Sequence, residues 1–209
     1  MTMLSPKDQF LASYEAEHQT TMKVLRAFPS AQSELRPHPS SKTARELAFV
    51  FALERGLGAM VLSDAFATGG PPGAMPPAPE AWSDVLAAVE KGHQDFGALV
   101  RSLSEEKLQQ TVKFFVGPKQ LADWTRIRFL WFLLSDEIHH RGQFSVYLRM
   151  SGAKVPSIYG PSGDEPWSAR TGVESSRTIA RTRLPSSLAI SATSPARARS
   201  SAQVGGICI

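Results

Sequence analysis

Apolar residues recur at helical spacing along most of this chain, and four long stretches carry the pattern. The first begins at Ser5, placed to cap a helix, with Pro6 at the first helical position and Asp8 in the first turn. Its stripe runs through Phe10, Tyr14, His18, Thr21, Leu25 and Phe28, and Pro29 ends it. The link Arg36–Lys42 holds two prolines and cannot be helical throughout. Thr43 or a neighbouring serine starts a second helix reaching about Phe66, with Leu47, Val50, Phe51, Glu54, Leu57 and Val61 on its buried face. The glycine- and proline-rich stretch from Gly69 to Pro79 predicts a long irregular loop. A third helix follows from about Pro79 to Leu103, burying Trp82, Val85, Leu86, Val89, Phe96, Leu99, Val100 and Leu103. Thr111–Val116 is a short apolar run suited to extended chain and closed by Gly117-Pro118. The fourth helix is expected from about Lys119 to Met150, where Gly152 stops it.

Four long amphipathic segments with little strand signal predict an all-α protein, an up-down-type four-helix bundle. No internal repeat is visible. The bundle domain is expected over residues 1–169, with Val155–Trp167 packed on its outside. Beyond it the composition changes: residues 170–209 are rich in Ser, Ala, Arg and Thr, hold no aromatic residue and show no apolar period. Such a segment cannot bury enough apolar surface to offset its ordering entropy, so it is expected to be a disordered basic tail.

Charge changes the picture only in that tail. Six of the 23 basic residues and one of the 19 acidic residues lie from Arg170 onward, leaving the body close to neutral. No basic face suited to nucleic acid is expected there. No apolar run is long enough to span a bilayer, and the N-terminus lacks a basic region followed by an apolar stretch. The single cysteine, Cys208, excludes an intramolecular disulfide framework and a multi-cysteine zinc site. A cytoplasmic setting is the simplest expectation.

Candidate chemistry concentrates in the fourth helix. Asp136 and His140 stand on one face of a segment apolar on nearly every side, with Cβ atoms about 6 Å apart. That spacing lets one helix give two ligands to one metal ion, or form a simple Asp–His hydrogen bond. His139 points about 100° away around the helix and reads as structural, facing another helix or a second subunit. Glu137 and Arg141 have the spacing of an intrahelical salt bridge. Gly142 offers a close helix approach, and Gln143 a donor reaching back to the site. His18 reads as a core histidine; His38 and His93 read as loop and helix-surface residues. A nucleophile elbow, a glycine-rich phosphate loop and a C-x-x-C pair are all absent from the sequence.

Three stretches together resemble the DinB/YfiT-like superfamily: Asp136–Met150 (DEIHHRGQFSVYLRM), Ala153–Trp167 (AKVPSIYGPSGDEPW) and Thr43–Glu54 (TARELAFVFALE). The resemblance covers about residues 5–167. It implies a four-helix bundle, a homodimer and, in many members, a divalent metal held by three histidines, one on the second helix and two on the last. His140 matches the second histidine of the last helix. The first falls on Asp136, and the second-helix histidine falls on Val50, which cannot bind metal. Glu54, one turn further along that face, is the nearest group that could take its place. Its alternative is a buried ion pair, with Arg141 or His18 as partner, since a buried carboxylate requires a cation, a donor or a metal.

The expected metal ligands are therefore Glu54, Asp136 and His140, a set suited to zinc, nickel, manganese or iron with positions left open for water. The resemblance implies a metal-dependent small-molecule hydrolase, or a transferase using a low-molecular-weight thiol. The alternative is a non-catalytic binding or stress-response bundle in which the three residues form a residual polar cluster. The last helix is also apolar on more faces than one bundle core needs, which accords with a homodimer.

Overall fold

Capping side chains mark where the rods of the bundle begin. In the computed structural model, which describes residues 4–67, 75–117 and 120–166, Ser5 accepts a hydrogen bond from the Asp8 amide and opens helix α1 (Pro6–Arg26). Thr43 opens α2 (Ala44–Leu62) with a capping box: its hydroxyl accepts from the Glu46 amide, and the Glu46 carboxylate accepts from the Thr43 amide at 2.7 Å. Two orphan amides are satisfied reciprocally, which stabilises the helix end by about 1 kcal/mol. Helix α3 (Trp82–Ser102) and the short α4 (Glu105–Gln109) lead to strands β1 (Thr111–Gly117) and β2 (Gln120–Thr125) and then to the long α5 (Arg126–Met150).

Two boundaries differ from expectation. Helix α5 starts at Arg126 behind a Thr125 cap, not near Lys119, because residues 120–125 pair with β1 as an antiparallel hairpin. Thr111 faces Thr125 and Phe115 faces Leu121, with a register shift before Gly117. The hairpin turns Val112 and Phe114 inward, and Phe114 packs edge-on to Phe129 with ring centroids 4.9 Å apart. Helix α2 stops at Leu62, short of Phe66, where Asp64 takes a left-handed φ of 60° and its carboxylate accepts from Arg126 at 2.6 Å.

The four-helix bundle expected from the apolar stripes is present, and its contacts show how the rods run. Phe10 meets Trp131 and Phe28 meets Phe144, so α1 and α5 are parallel. Tyr14 meets Phe96 and Phe28 meets Trp82, so α1 and α3 are antiparallel. Gly58 closes on Phe96 and Gly92 on Ala52, so α2 and α3 are parallel. Tyr147 donates to the Lys42 carbonyl while Arg126 donates to that of Leu62, so α2 and α5 are antiparallel. The order of directions is up, down, down, up. Parallel neighbours α2 and α3 need a connection as long as a helix, roughly 28 Å for 19 residues. The chain between Leu62 and Trp82 has enough residues to span that distance.

Two apolar clusters fill the ends of the bundle. One gathers Phe10, Leu57, Phe96, Leu108, Phe114 and Phe129 beside the hairpin. The other gathers Leu25, Phe28, Leu47, Trp82, Phe144 and Leu148. On every long helix the residues between the clusters are polar and buried: His18 and Thr21 on α1, Glu54 and Arg55 on α2, His93 on α3, and Glu137, His140 and Arg141 on α5. A polar layer thus crosses the middle of the bundle.

After α5, Val155 and Ile158 pack against the second cluster, and the segment is tied down by Lys23–Glu165 at 2.9 Å and Arg149–Asp164 at 2.7 Å. The expected packing of Val155–Trp167 on the bundle is thereby seen through Pro166. Trp167 and the 170–209 tail lie outside the described residues.

Candidate metal centre

The polar layer divides into two parts. On the α2–α5 side, Glu54 and His140 project toward each other, with Oε1 of Glu54 2.7 Å from Nδ1 of His140. Asp136, one turn before His140, places Oδ1 3.8 Å from the same nitrogen. One donor atom from each of the three lies within 4.8 Å of the others. The structure therefore brings together all three residues expected from the sequence. Val50, one turn before Glu54, is buried and offers no ligand atom.

The three groups are poorly satisfied by the protein alone. Glu54 Oε1 and Oε2, Asp136 Oδ2 and His140 Nδ1 are buried without a hydrogen-bond partner. The Glu54–His140 approach is close enough for an ion pair but off the direction a ring N–H requires. Buried polar atoms normally find partners, and orphans call for an explanation. Burial pushes the Glu54 and Asp136 carboxyls above their ordinary values. For His140, burial pulls the imidazole down, but the Glu54 and Asp136 carboxylates outweigh it and raise it. Burial thus favours the protonated carboxyls, and a cation that binds here must displace protons. A divalent cation fits this donor set of two carboxylates and one imidazole, which offers one atom from each residue within 4.8 Å of the others.

On the α1 side the charged groups of the layer, Arg55, Glu137 and Arg141, are paired. Arg55, 2% exposed, donates to the carboxylate of Glu137, to the Tyr14 hydroxyl at 3.3 Å and to the Phe51 carbonyl at 3.3 Å. Glu137 also accepts from Thr21 at 2.7 Å. Arg141 pairs with Glu17 at 2.6 Å and donates to Tyr159 at 2.6 Å. Glu137 and Arg141 are therefore not direct partners along α5, as their spacing suggested: Glu137 pairs with Arg55 on α2 and Arg141 with Glu17 on α1, and both bond the Thr21 hydroxyl. The cations beside Glu54 are His140 and Arg55, the latter at 3.5 Å, rather than Arg141 or His18. Sequence reasoning missed Arg55 and gave Glu137 the wrong partner. A signal was present: Glu54 and Arg55 are the only charges between Leu47 and Leu62, so both must be buried.

Other expectations sort as follows. His139 is exposed and bonded to Gln143 at 2.7 Å, so Gln143 does not reach the cluster. Gly142 faces open space and mediates no close helix contact. His18 is a core histidine, as expected. His93 is buried rather than on the surface, stacked face to face on His18 with centroids 3.6 Å apart and contacting Glu15 at 2.9 Å.

The model of the DinB family matches residues 79–171, which include Asp136 and His140. Solved DinB-like proteins share the fold. One from Bacillus cereus ATCC 10987 superposes with a TM-score of 0.59 at 23% identity, covering 73% of this chain and 97% of its own. The chain is similar to the DinB family over residues 79–171 and to DinB-like proteins in fold. Another DinB-like structure, YjoA of Bacillus subtilis, gives 0.55 at 17% identity over 72% of this chain and 97% of its own. YfiT of B. subtilis, a probable metal-dependent hydrolase with an unusual four-helix bundle topology, gives 0.52 at 17% identity over 74% and 93%. In sequence, the uncharacterized protein YrdA of B. subtilis is 28% identical over 176 residues, 82% of this chain and 98% of YrdA.

Proposed function

We propose that this chain is a divalent-metal-dependent enzyme that hydrolyses a small molecule or transfers a low-molecular-weight thiol to one. The observation that supports the reading is the convergence of Glu54, Asp136 and His140, one donor atom from each within 4.8 Å of the others, in a cluster that holds four buried atoms without a hydrogen-bond partner. The fold shared with YfiT, a probable metal-dependent hydrolase, supports it. A zinc, nickel, manganese or iron ion held there supplies a water or thiol of lowered pKa, a nucleophile near neutral pH. The chain's own residues do the rest. His140 offers Nδ1 only when neutral, so a proton competes with the ion. Glu54, 1% exposed, sits at the dry side of the cluster; Asp136, 15% exposed, forms its open side, past which a substrate approaches.

A second reading rests on the 2.7 Å approach of Glu54 to His140, which can share a proton without any metal. The protein is then a non-catalytic binding or stress-response bundle. Metal content of protein purified without chelators separates the two. About one equivalent of a divalent metal per chain supports the enzyme; none, with no uptake from added metal, favours the binding bundle.

We further propose a cytoplasmic homodimer. Helix α5 leaves Trp131, Val146 and Met150 exposed along its outer side, which supports a self-complementary contact. No helix among the described residues is long and apolar enough to cross a membrane.

A further inference from the structure

Resting on the reading of Glu54, Asp136 and His140 as a metal centre, we propose that the site prefers a hard divalent ion of the manganese(II) type and that Asp136 sets this preference. Of the four buried atoms in this cluster left without a hydrogen-bond partner, three are carboxylate oxygens and one is an imidazole nitrogen. Carboxylate and water suit magnesium, calcium and manganese, whereas imidazole suits zinc, copper and nickel. One imidazole among carboxylates therefore moves the site toward ions that combine oxygen preference with tolerance of nitrogen.

Charge points the same way. The cluster is buried, and a divalent ion enters such a place only if its charge is compensated. The neighbouring cation, Arg55, already has its own counter-charge in Glu137. Glu54 and Asp136 together carry the two negative charges that balance a divalent ion, and His140 as a neutral ligand adds none. Asp136 is the residue that decides the donor count. It lies one helical turn from His140 and within reach of the same point, so an imidazole in its place would turn the set into two nitrogens and one oxygen.

Zinc binds most nitrogen- and oxygen-donor sites more tightly than manganese does, so the diagnostic quantity is the ratio of the two affinities and not either alone. Calorimetric titration of the full-length protein with manganese(II) and, separately, zinc(II) measures it for wild type, Asp136→His and Asp136→Asn. Asp136→His should raise the zinc-to-manganese affinity ratio at least about tenfold. Asp136→Asn, which keeps an oxygen but loses the charge, should weaken manganese more than zinc. It also serves if Asp136→His fails to fold. A ratio unmoved by either substitution, or a wild type that binds zinc but takes up no manganese at millimolar concentration, overturns the inference while leaving the metal centre standing. A wild type that binds neither ion overturns the metal centre and this inference with it.

Discussion

Replacing His18 by Phe should make the protein markedly less sensitive to acid. His18 on α1 and His93 on α3 stack with their planes 8° apart, with Tyr14 against the other face of His93 at 4.3 Å. Glu90, held by Arg26, faces His18 from 3.6 Å, and Glu15 faces His93, while Arg55 and Glu137 lie on the inner side. Both ring nitrogens of His18 are buried and unpartnered. Burial, reinforced by the neighbouring His93, pulls the His18 imidazole down to about 4. In the unfolded chain it returns to about 6.5. Above that value it is neutral in both states and adds no pH dependence. As pH falls from about 6.5 toward 4, the unfolded chain takes up a proton that the folded protein refuses. Stability then drops by about 1.4 kcal/mol per unit, or about 3 kcal/mol across the window, and levels off below it. Phe fills the same stack without titrating. The assay is urea unfolding of wild type and His18→Phe at a series of pH values, followed by tryptophan fluorescence. The wild type should lose about 3 kcal/mol more than the variant between neutral pH and about pH 4. Parallel stability curves would refute the reasoning, because they would mean His18 titrates equally in both states.

Glu137→Ala leaves the buried Arg55 guanidinium without its counter-charge and should cost about 3–5 kcal/mol in urea unfolding; a loss below about 1 kcal/mol would mean that water or Glu54 replaces it. Gly58→Ala brings a Cβ to 2.7 Å from Leu133 Cδ2 and 2.8 Å from Phe96 Cε2, so it should lower stability by about 1–3 kcal/mol, whereas Gly56→Ala meets nothing and should raise it by about 0.5–1 kcal/mol. Equal effects at the two glycines in thermal melts would contradict the packing described for α2 against α3. Sedimentation should show a dimer at micromolar concentration that dissociates when Trp131 and Val146 are replaced by Lys; a stable wild-type monomer removes the homodimer.

What could be read before the structure depended on how local the cause was. Ser5 with Pro6, and Thr43 with Glu46, announce helix starts because caps act within one turn. Asp136 and His140 were legible because one helix places both. Glu54 was legible because a charge on an apolar face needs a partner. The pairing of Glu137 with Arg55 was not, since it joins α5 to α2, and helical spacing pointed to the nearer Arg141 instead. His93 looked exposed because Lys91 and Asp95 beside it are; its burial comes from His18 and Tyr14 on another helix. The strand Gln120–Thr125 was read as helix because its own residues carry no strong strand pattern. Pairing with Thr111–Gly117 supplies the ladder that makes it one.

The central claim is that Glu54, Asp136 and His140 form a metal centre, and calorimetric titration of a divalent metal into paired histidine variants tests it most directly. His139 and His140 are neighbours in sequence, but only His140 faces Glu54 and Asp136. His139→Ala should bind metal as wild type does, at one ion per chain. His140→Ala should lose binding, and circular dichroism should show that it stays folded. Equal binding by the two variants, or loss in His139→Ala alone, would contradict the account.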